Sequence, residues 1–234
     1  MKTLLIAWLL SAMAALSPPH RKHFAVEAQE SFAQEDARRQ EIAEGIIEAS
    51  FDPDEKPLFG GPYGRSRTAF LITFKFWMES GFRRDVHLGL GRARTSRTGL
   101  NDYGRSWCMG QIMLGSKREP DPDHPGRTRL TSAELTAEGW SGLELLENTE
   151  RCALATKHRI AGSLSACSAL PWEQRLADYV SGDCGSEYGQ QVSADRLKAF
   201  QRRWARAWAS HPKLKDADVL ASPQPTDVVE VSSL

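Results

Sequence analysis

Between Ser66 and Gly81 lies a stretch that any fold of this chain must put at its centre. Ala69, Phe70, Leu71, Ile72, Phe74, Phe76, Trp77 and Met78 make it apolar on nearly every side of a helix, and a helix without a polar face belongs in the interior. Ser66 can act as its N-cap and Gly81 as its stop. The helix ends on Glu79, a costly position for a carboxylate unless it stays protonated or finds partners. Desolvation by Phe76, Trp77 and Phe82, together with the negative end of the helix dipole, disfavours the charged form, so the expectation is a raised pKa. Cleavage of a glycosidic bond near neutral pH needs such an acid. Placement alone fits a solvent-exposed, idle C-terminal glutamate equally well.

A chain of 234 residues is long enough for one domain with a real core. Glu27 to Ser50 is expected to form an amphipathic helix through Phe32, Ile42, Ile46 and Ile47, and the turn residues Asp52-Pro53-Asp54 and Phe59 to Gly64 separate it from the central helix. The glycine-rich run from Val86 to Gly115 predicts a small irregular hairpin, and the charged stretch from Ser116 to Arg129, with three prolines, a solvent-facing loop. Ser141 with Glu144 is a capping box, and Asn148 can cap a helix carrying Cys152, which reads as two short linked helices. Pro171 opens a helix that should stop near Gly182. After Ser193, a last helix sets Leu197, Phe200, Trp204 and Trp208 on one face and Arg196, Lys198, Arg202, Arg203 and Arg206 on the other, which reads as a solvated face or a contact for anionic material. The tail, residues 216–234, has no periodicity and is expected to be disordered. The fold class is therefore mainly α with a small hairpin.

Residues 1–14 run from Lys2 through an apolar stretch to Ala12-Met13-Ala14, the layout of a signal peptide or anchor; the alternative is an apolar helix tucked onto the domain. An exported protein with Cys108, Cys152, Cys167 and Cys184 should carry two disulfides, and Cys152–Cys167 with Cys108–Cys184 is favoured because the first pair closes a shorter loop. Thirty basic and thirty acidic residues leave no net charge to attract nucleic acid. The cysteines form no CxxC, the six histidines show no HExxH, and neither a GxSxG elbow nor a phosphate loop is present, so no metal or other cofactor is expected.

Glu79-Ser80-Gly81-Phe82, then Gly104-Arg105-Ser106-Trp107-Cys108-Met109-Gly110-Gln111-Ile112, then Ala177-Asp178-Tyr179-Val180-Ser181-Gly182 resemble, in order and spacing, three signatures of the lysozyme-like superfamily. The likeness is greatest to soluble lytic transglycosylase domains and related phage muramidases, and covers roughly Ser66 to Trp208. It implies a lysozyme-like α+β catalytic domain over residues 27–212, Glu79 as catalytic acid, Ser80 orienting that carboxyl or the substrate N-acetyl group, Gln111 hydrogen-bonding in the cleft, and Tyr179 close to Glu79. Cys108 and Gly110 stand where such proteins usually have glycine and methionine, and Val180 where they have asparagine.

The implied substrate is peptidoglycan, cut between N-acetylmuramic acid and N-acetylglucosamine. Hydrolysis needs a second carboxylate, for which Asp102 is the leading candidate and Asp85 another, each alternatively a turn residue bonding its own backbone. Without one, Glu79 serves as acid and then base and a 1,6-anhydro end forms, the preferred route. Trp107, Trp140 and Trp172 either stack on sugar rings or pack in the core. An inactive wall-binding or secretion-accessory protein is the reading of another class. The catalytic readings imply an exported, monomeric protein, periplasmic, extracellular or phage-encoded, touching a membrane only through an N-terminal anchor.

Overall fold

The computed structural model describes residues 1–19, 29–88, 106–114, 118–120, 128–130 and 135–222. Its central element is α3 (Gly64–Ser80), in which every residue from Thr68 to Phe76 is buried. Thr68 and Thr73 donate their hydroxyls to the carbonyls of Gly64 and Ala69 one turn back, 2.8 and 2.9 Å away, so these polar side chains enter the interior satisfied. The N-cap position falls at Tyr63, three residues ahead of the expected Ser66. A distant carboxylate takes the capping role: Asp216 Oδ2 accepts from the Arg65 amide at 2.9 Å. Asp216 opens α9 (Asp216–Leu220), whose Val219 is buried. The segment expected to begin a disordered tail is thus helical over its first turn, because it satisfies the amides of another helix.

Two helices wrap α3. In α1 (Lys2–Leu16), Leu5, Leu9 and Met13 are fully buried, the Trp8 indole donates to the Ala207 carbonyl at 2.9 Å, and Lys2 pairs with Glu48 at 2.5 Å. The stretch with the layout of a signal peptide or anchor therefore lies in the core. No helix among the described residues is long and apolar enough to cross a membrane. α2 (Phe32–Phe51) opens on a capping box between Ser31 and Gln34 and buries Ile42, Ile46 and Ile47 as its periodicity predicts. Phe32, in its first turn, is 68% exposed instead.

Beyond α3 come the short α4 (Arg84–His87) and two small antiparallel hairpins: β1 (Ser106–Trp107) with β2 (Ile112–Met113), and β3 (Arg118–Pro120) with β4 (Thr128–Leu130). The first pairs Trp107 with Ile112. The second falls in the stretch expected to be a loop; a two-stranded ladder has only edge strands, so Pro120 is accommodated at its end opposite Thr128.

α5 (Gly142–Glu147) and α6 (Thr149–Ala166) carry the expected Ser141–Glu144 box and Asn148 cap, but α6 is one long helix. That overturns the expected disulfides. Cys152 sits in its first turn and Cys167 just past its end, about 22 Å apart at the helical rise, against the roughly 7 Å a disulfide spans. The bonds are Cys108–Cys152, tying the first hairpin to α6, and Cys167–Cys184, tying α6 to the loop between α7 (Ala177–Ser181) and α8 (Glu187–Ala209). Pro171 leads into a single turn of 3-10 helix, Trp172–Gln174, before α7, which stops at Gly182 as expected. α8 starts at Glu187, capped by Ser186, and buries Leu197 and Phe200.

A charged clamp joins α6 to two loops. His158 Nε2 lies 2.9 Å from Glu55 Oε2, its Nδ1 bonds Glu138, and Lys157 reaches Glu55 at 2.8 Å. Burial alone would lower the histidine pKa, but the two carboxylates outweigh it and raise the pKa; burial works to raise both glutamates, yet their partners hold them lower. His158 therefore stabilises the fold below its unfolded pKa of about 6.5 and loses that contribution as pH rises through its raised value. The glutamates contribute above about 4.3 and lose it as pH falls. His158→Ala is expected to lower the urea midpoint most between about pH 5 and 6, with the gap to wild type shrinking as pH rises past the raised folded value. A gap that does not vary with pH would contradict this account.

Candidate active site

The C-terminal end of α3 is where three distant segments meet. Gly81 stops the helix in the left-handed conformation, φ 61°, and its amide bonds the Trp77 carbonyl at 2.8 Å, which leaves Glu79 and Ser80 in the last turn. Ser80 Oγ lies 2.6 Å from the Phe76 carbonyl and 3.3 Å from Met109 Sδ, and accepts from the Phe82 amide at 3.2 Å. Met109 belongs to the turn between β1 and β2, where Cys108 and Gln111 both have positive φ, 55° and 48°. Such backbone is strained for non-glycine residues and persists when its surroundings hold it. Here the Cys108–Cys152 bond does so, helped by Gln111, whose amide nitrogen donates to the carbonyls of Cys108 and Val86 at 2.9 and 3.2 Å. Gly110 lets the turn lie directly on α6, because a Cβ there would sit 2.1 Å from Thr156 Oγ1.

The third segment is α7. Tyr179 donates its hydroxyl to the Gly110 carbonyl at 3.1 Å and takes the Lys75 ammonium over its ring at 3.8 Å from the centroid. Lys75 and Glu79 are one turn apart on α3, and Lys75 Nζ donates to Glu79 Oε1 at 2.8 Å. Arg196, from α8, donates Nη1 to the same oxygen at 2.7 Å. Glu79 is thus linked to Tyr179 through the lysine that both of them touch.

These cations reverse the expected ionisation. Burial does push the Glu79 pKa upward, but Lys75 and Arg196 together outweigh it and hold the carboxyl below its ordinary value. Burial in turn brings Lys75 down to about 8, only partly opposed by Glu79, and with the negative charge of Glu79 it pushes the Tyr179 phenol up. At neutral pH the site is a carboxylate between two cations.

The chain matches no protein-family model, and no curated protein or solved structure resembles it significantly.

Glu79, Ser80, Gln111 and Tyr179, chosen from the sequence, are all in or beside this cluster, though two of them face differently from the expectation. The Ser80 hydroxyl turns inward to Phe76 and Met109, and the Gln111 amide braces the hairpin against the end of α4. Asp102 lies outside the described residues. Asp85 is buried and engaged by Arg83, whose Nε donates to its Oδ1 at 2.9 Å, and by the Val86 amide. Trp107, Trp140 and Trp172 are partly buried against the core. Among the described residues no group of three or more His, Cys, Asp or Glu is arranged to hold a metal ion.

Lys75 and Arg196 are the residues the sequence reading missed. A lysine inside an otherwise apolar helix, four residues before a glutamate, was a signal that could have found the first. Arg196 belongs to a basic face that reads from the sequence as solvated or as a contact for anionic material, and nothing local distinguishes it from its neighbours Lys198 and Arg202.

Proposed function

We propose that this chain cleaves the glycan strands of peptidoglycan between N-acetylmuramic acid and N-acetylglucosamine, using Glu79 as acid and then base. The observation that carries the reading is the meeting, at one end of α3, of Glu79, the Met109–Gln111 turn and Tyr179, the three segments whose sequences resemble lysozyme-like signatures. The described partners of Glu79 are both cations, and the route we prefer uses this one carboxylate. In that route the Glu79 carboxyl gives its proton to the glycosidic oxygen as the bond to the muramic C1 breaks. The resulting carboxylate then takes the proton of the 6-hydroxyl as that oxygen closes on C1, leaving a 1,6-anhydro end. Lys75 and Arg196 stabilise the carboxylate half of this cycle; the acid half requires their hold on Glu79 to weaken when glycan binds. If water, activated by Asp102, captures C1 instead, the product has a reducing end. The reading implies an exported or phage-borne protein acting at the cell wall, and two disulfides accord with an oxidising compartment.

A second reading draws on the same triad: a carboxylate fixed between two cations also serves a domain that binds the wall without cutting it. The test is cleavage of purified peptidoglycan by wild type and Glu79→Gln, each assayed where its melting transition shows it folded, with mass spectrometry of the products. Wild type should release anhydro-ended fragments and the variant should lose at least about a hundredfold in rate, the lower range for a missing general acid. Equal cleavage by both would remove Glu79 from the chemistry. Wall binding without cleavage by either would favour the second reading.

A further inference from the structure

We propose that Arg196 is a displaceable partner of Glu79: a carboxylate on the bound glycan takes its guanidinium, releases Glu79 Oε1, and makes the site selective for anionic over neutral glycan. This rests on the glycan-cleaving reading above. The argument begins with an asymmetry between the two cations. Lys75 is wholly buried, sits one turn away on the same helix and is stacked on the Tyr179 ring, so it cannot leave Glu79 without unpacking the site. Arg196 reaches in from α8, and 20% of its side chain is exposed. Its bond to Glu79 runs through Nη1, so a guanidinium built to grip a carboxylate with two parallel donors makes a single-donor contact here. A second carboxylate approaching from solvent can take the fork in full.

The surroundings favour such a visitor. Arg203 lies seven residues after Arg196, on the same face of α8, with its guanidinium 5.5 Å from the Trp77 ring, so two arginines of α8 line the last turns of α3. From α6, Arg159 faces Tyr179 and pairs with Asp178 at 3.3 Å. Among the described residues, the charged groups acting on Glu79 are Lys75 of α3 and Arg196 of α8, and those acting on Tyr179 are Glu79 itself, Arg196 and Arg159 of α6. A carboxylate entering beside Glu79 meets cations, and by drawing Arg196 away it leaves a half-buried carboxyl with one counter-ion instead of two. That change moves Glu79 toward the protonated form its acid step needs, while a neutral sugar leaves the pairing intact.

The test reads Glu79 itself. The 13C carboxyl signal of Glu79, assigned by its loss in Glu79→Gln, is titrated in wild type, Arg196→Gln and Arg196→Lys. Each is measured alone, with saturating N-acetylmuramic acid, which bears a carboxylate, and with N-acetylglucosamine, which does not. The Glu79 midpoint is expected to rise by about one pH unit or more in Arg196→Gln, and in wild type with N-acetylmuramic acid only; Arg196→Lys should keep the wild-type midpoint. In cleavage, the preference in kcat/KM for stem-free glycan strands, whose muramic carboxylates are not amide-linked to peptide, over neutral chitin oligosaccharide should fall about tenfold in Arg196→Gln, the scale of one charge-assisted hydrogen bond. A midpoint unchanged in Arg196→Gln, or moved equally or not at all by both sugars, overturns the proposal. A wild type that cleaves no glycan yet shows the shift with N-acetylmuramic acid alone overturns the cleavage reading and supports the displaceable arginine.

Discussion

Replacing Glu79 by glutamine is expected to destabilise the protein at pH 6 by about 3 kcal/mol, the lower range for breaking a buried ion pair, and much less at pH 9. Lys75 is fully buried and its described hydrogen bond is to Glu79. Even with that carboxylate present, burial brings its pKa down to about 8; without it the pKa must fall further. The sign follows from linkage. A base with a depressed folded pKa is protonated in both states at low pH, where its burial cost is felt in full. As pH rises past the folded value the unfolded chain holds the extra proton, so stability climbs until about 10.4, the unfolded value. Urea unfolding at pH 6 and 9 should therefore show the Glu79→Gln deficit narrowing, and Lys75→Met combined with Glu79→Gln should recover most of it, since an apolar chain of similar length leaves no charge to bury. A Glu79→Gln variant more stable than wild type at both pH values would show that Lys75 does not depend on Glu79.

Removing residues 1–16 is expected to abolish cooperative folding. α1 gives the core Leu5, Trp8, Leu9, Ala12, Met13 and Leu16, each under 9% exposed. Burying a large apolar side chain contributes roughly 1.5 to 3 kcal/mol, so the five larger ones sum to about the whole stability of an ordinary domain, roughly 5 to 15 kcal/mol. The deletion would also uncover the apolar face of α3 and leave the Ala207 carbonyl without its tryptophan donor. A thermal melt followed by circular dichroism decides it. A truncated chain melting as sharply as the full one would mean that α1 is dispensable, as cleavage of an N-terminal signal segment on export would require.

Local chemistry carried much of the architecture. The all-round apolar run of α3, its stop at Gly81, the Ser141–Glu144 box, the Asn148 cap and the end of α7 at Gly182 all involve residues within a turn or two of each other, and they form as their sequence implies. The hairpin after Val86 and the burial of Ile42, Ile46 and Ile47 belong to the same class. Of the site, Glu79 and Tyr179 could be chosen from short motifs, and Lys75 stood in view at a four-residue spacing.

Tertiary structure decided the rest, wherever the answer depended on which distant groups meet. The length of α6 ruled out one disulfide pairing and allowed another. Asp216 caps a helix 151 residues away. Arg196 and Glu79 are 117 residues apart, and Lys75 one turn away together with Arg196 turns a carboxyl that burial would keep protonated into one held ionised. Burial and helix position can be inferred along a chain because both follow from nearest neighbours. The sign of a pKa shift at a buried charge cannot, since it depends on how many counter-ions the whole fold brings into contact, and at close range these together outweigh burial.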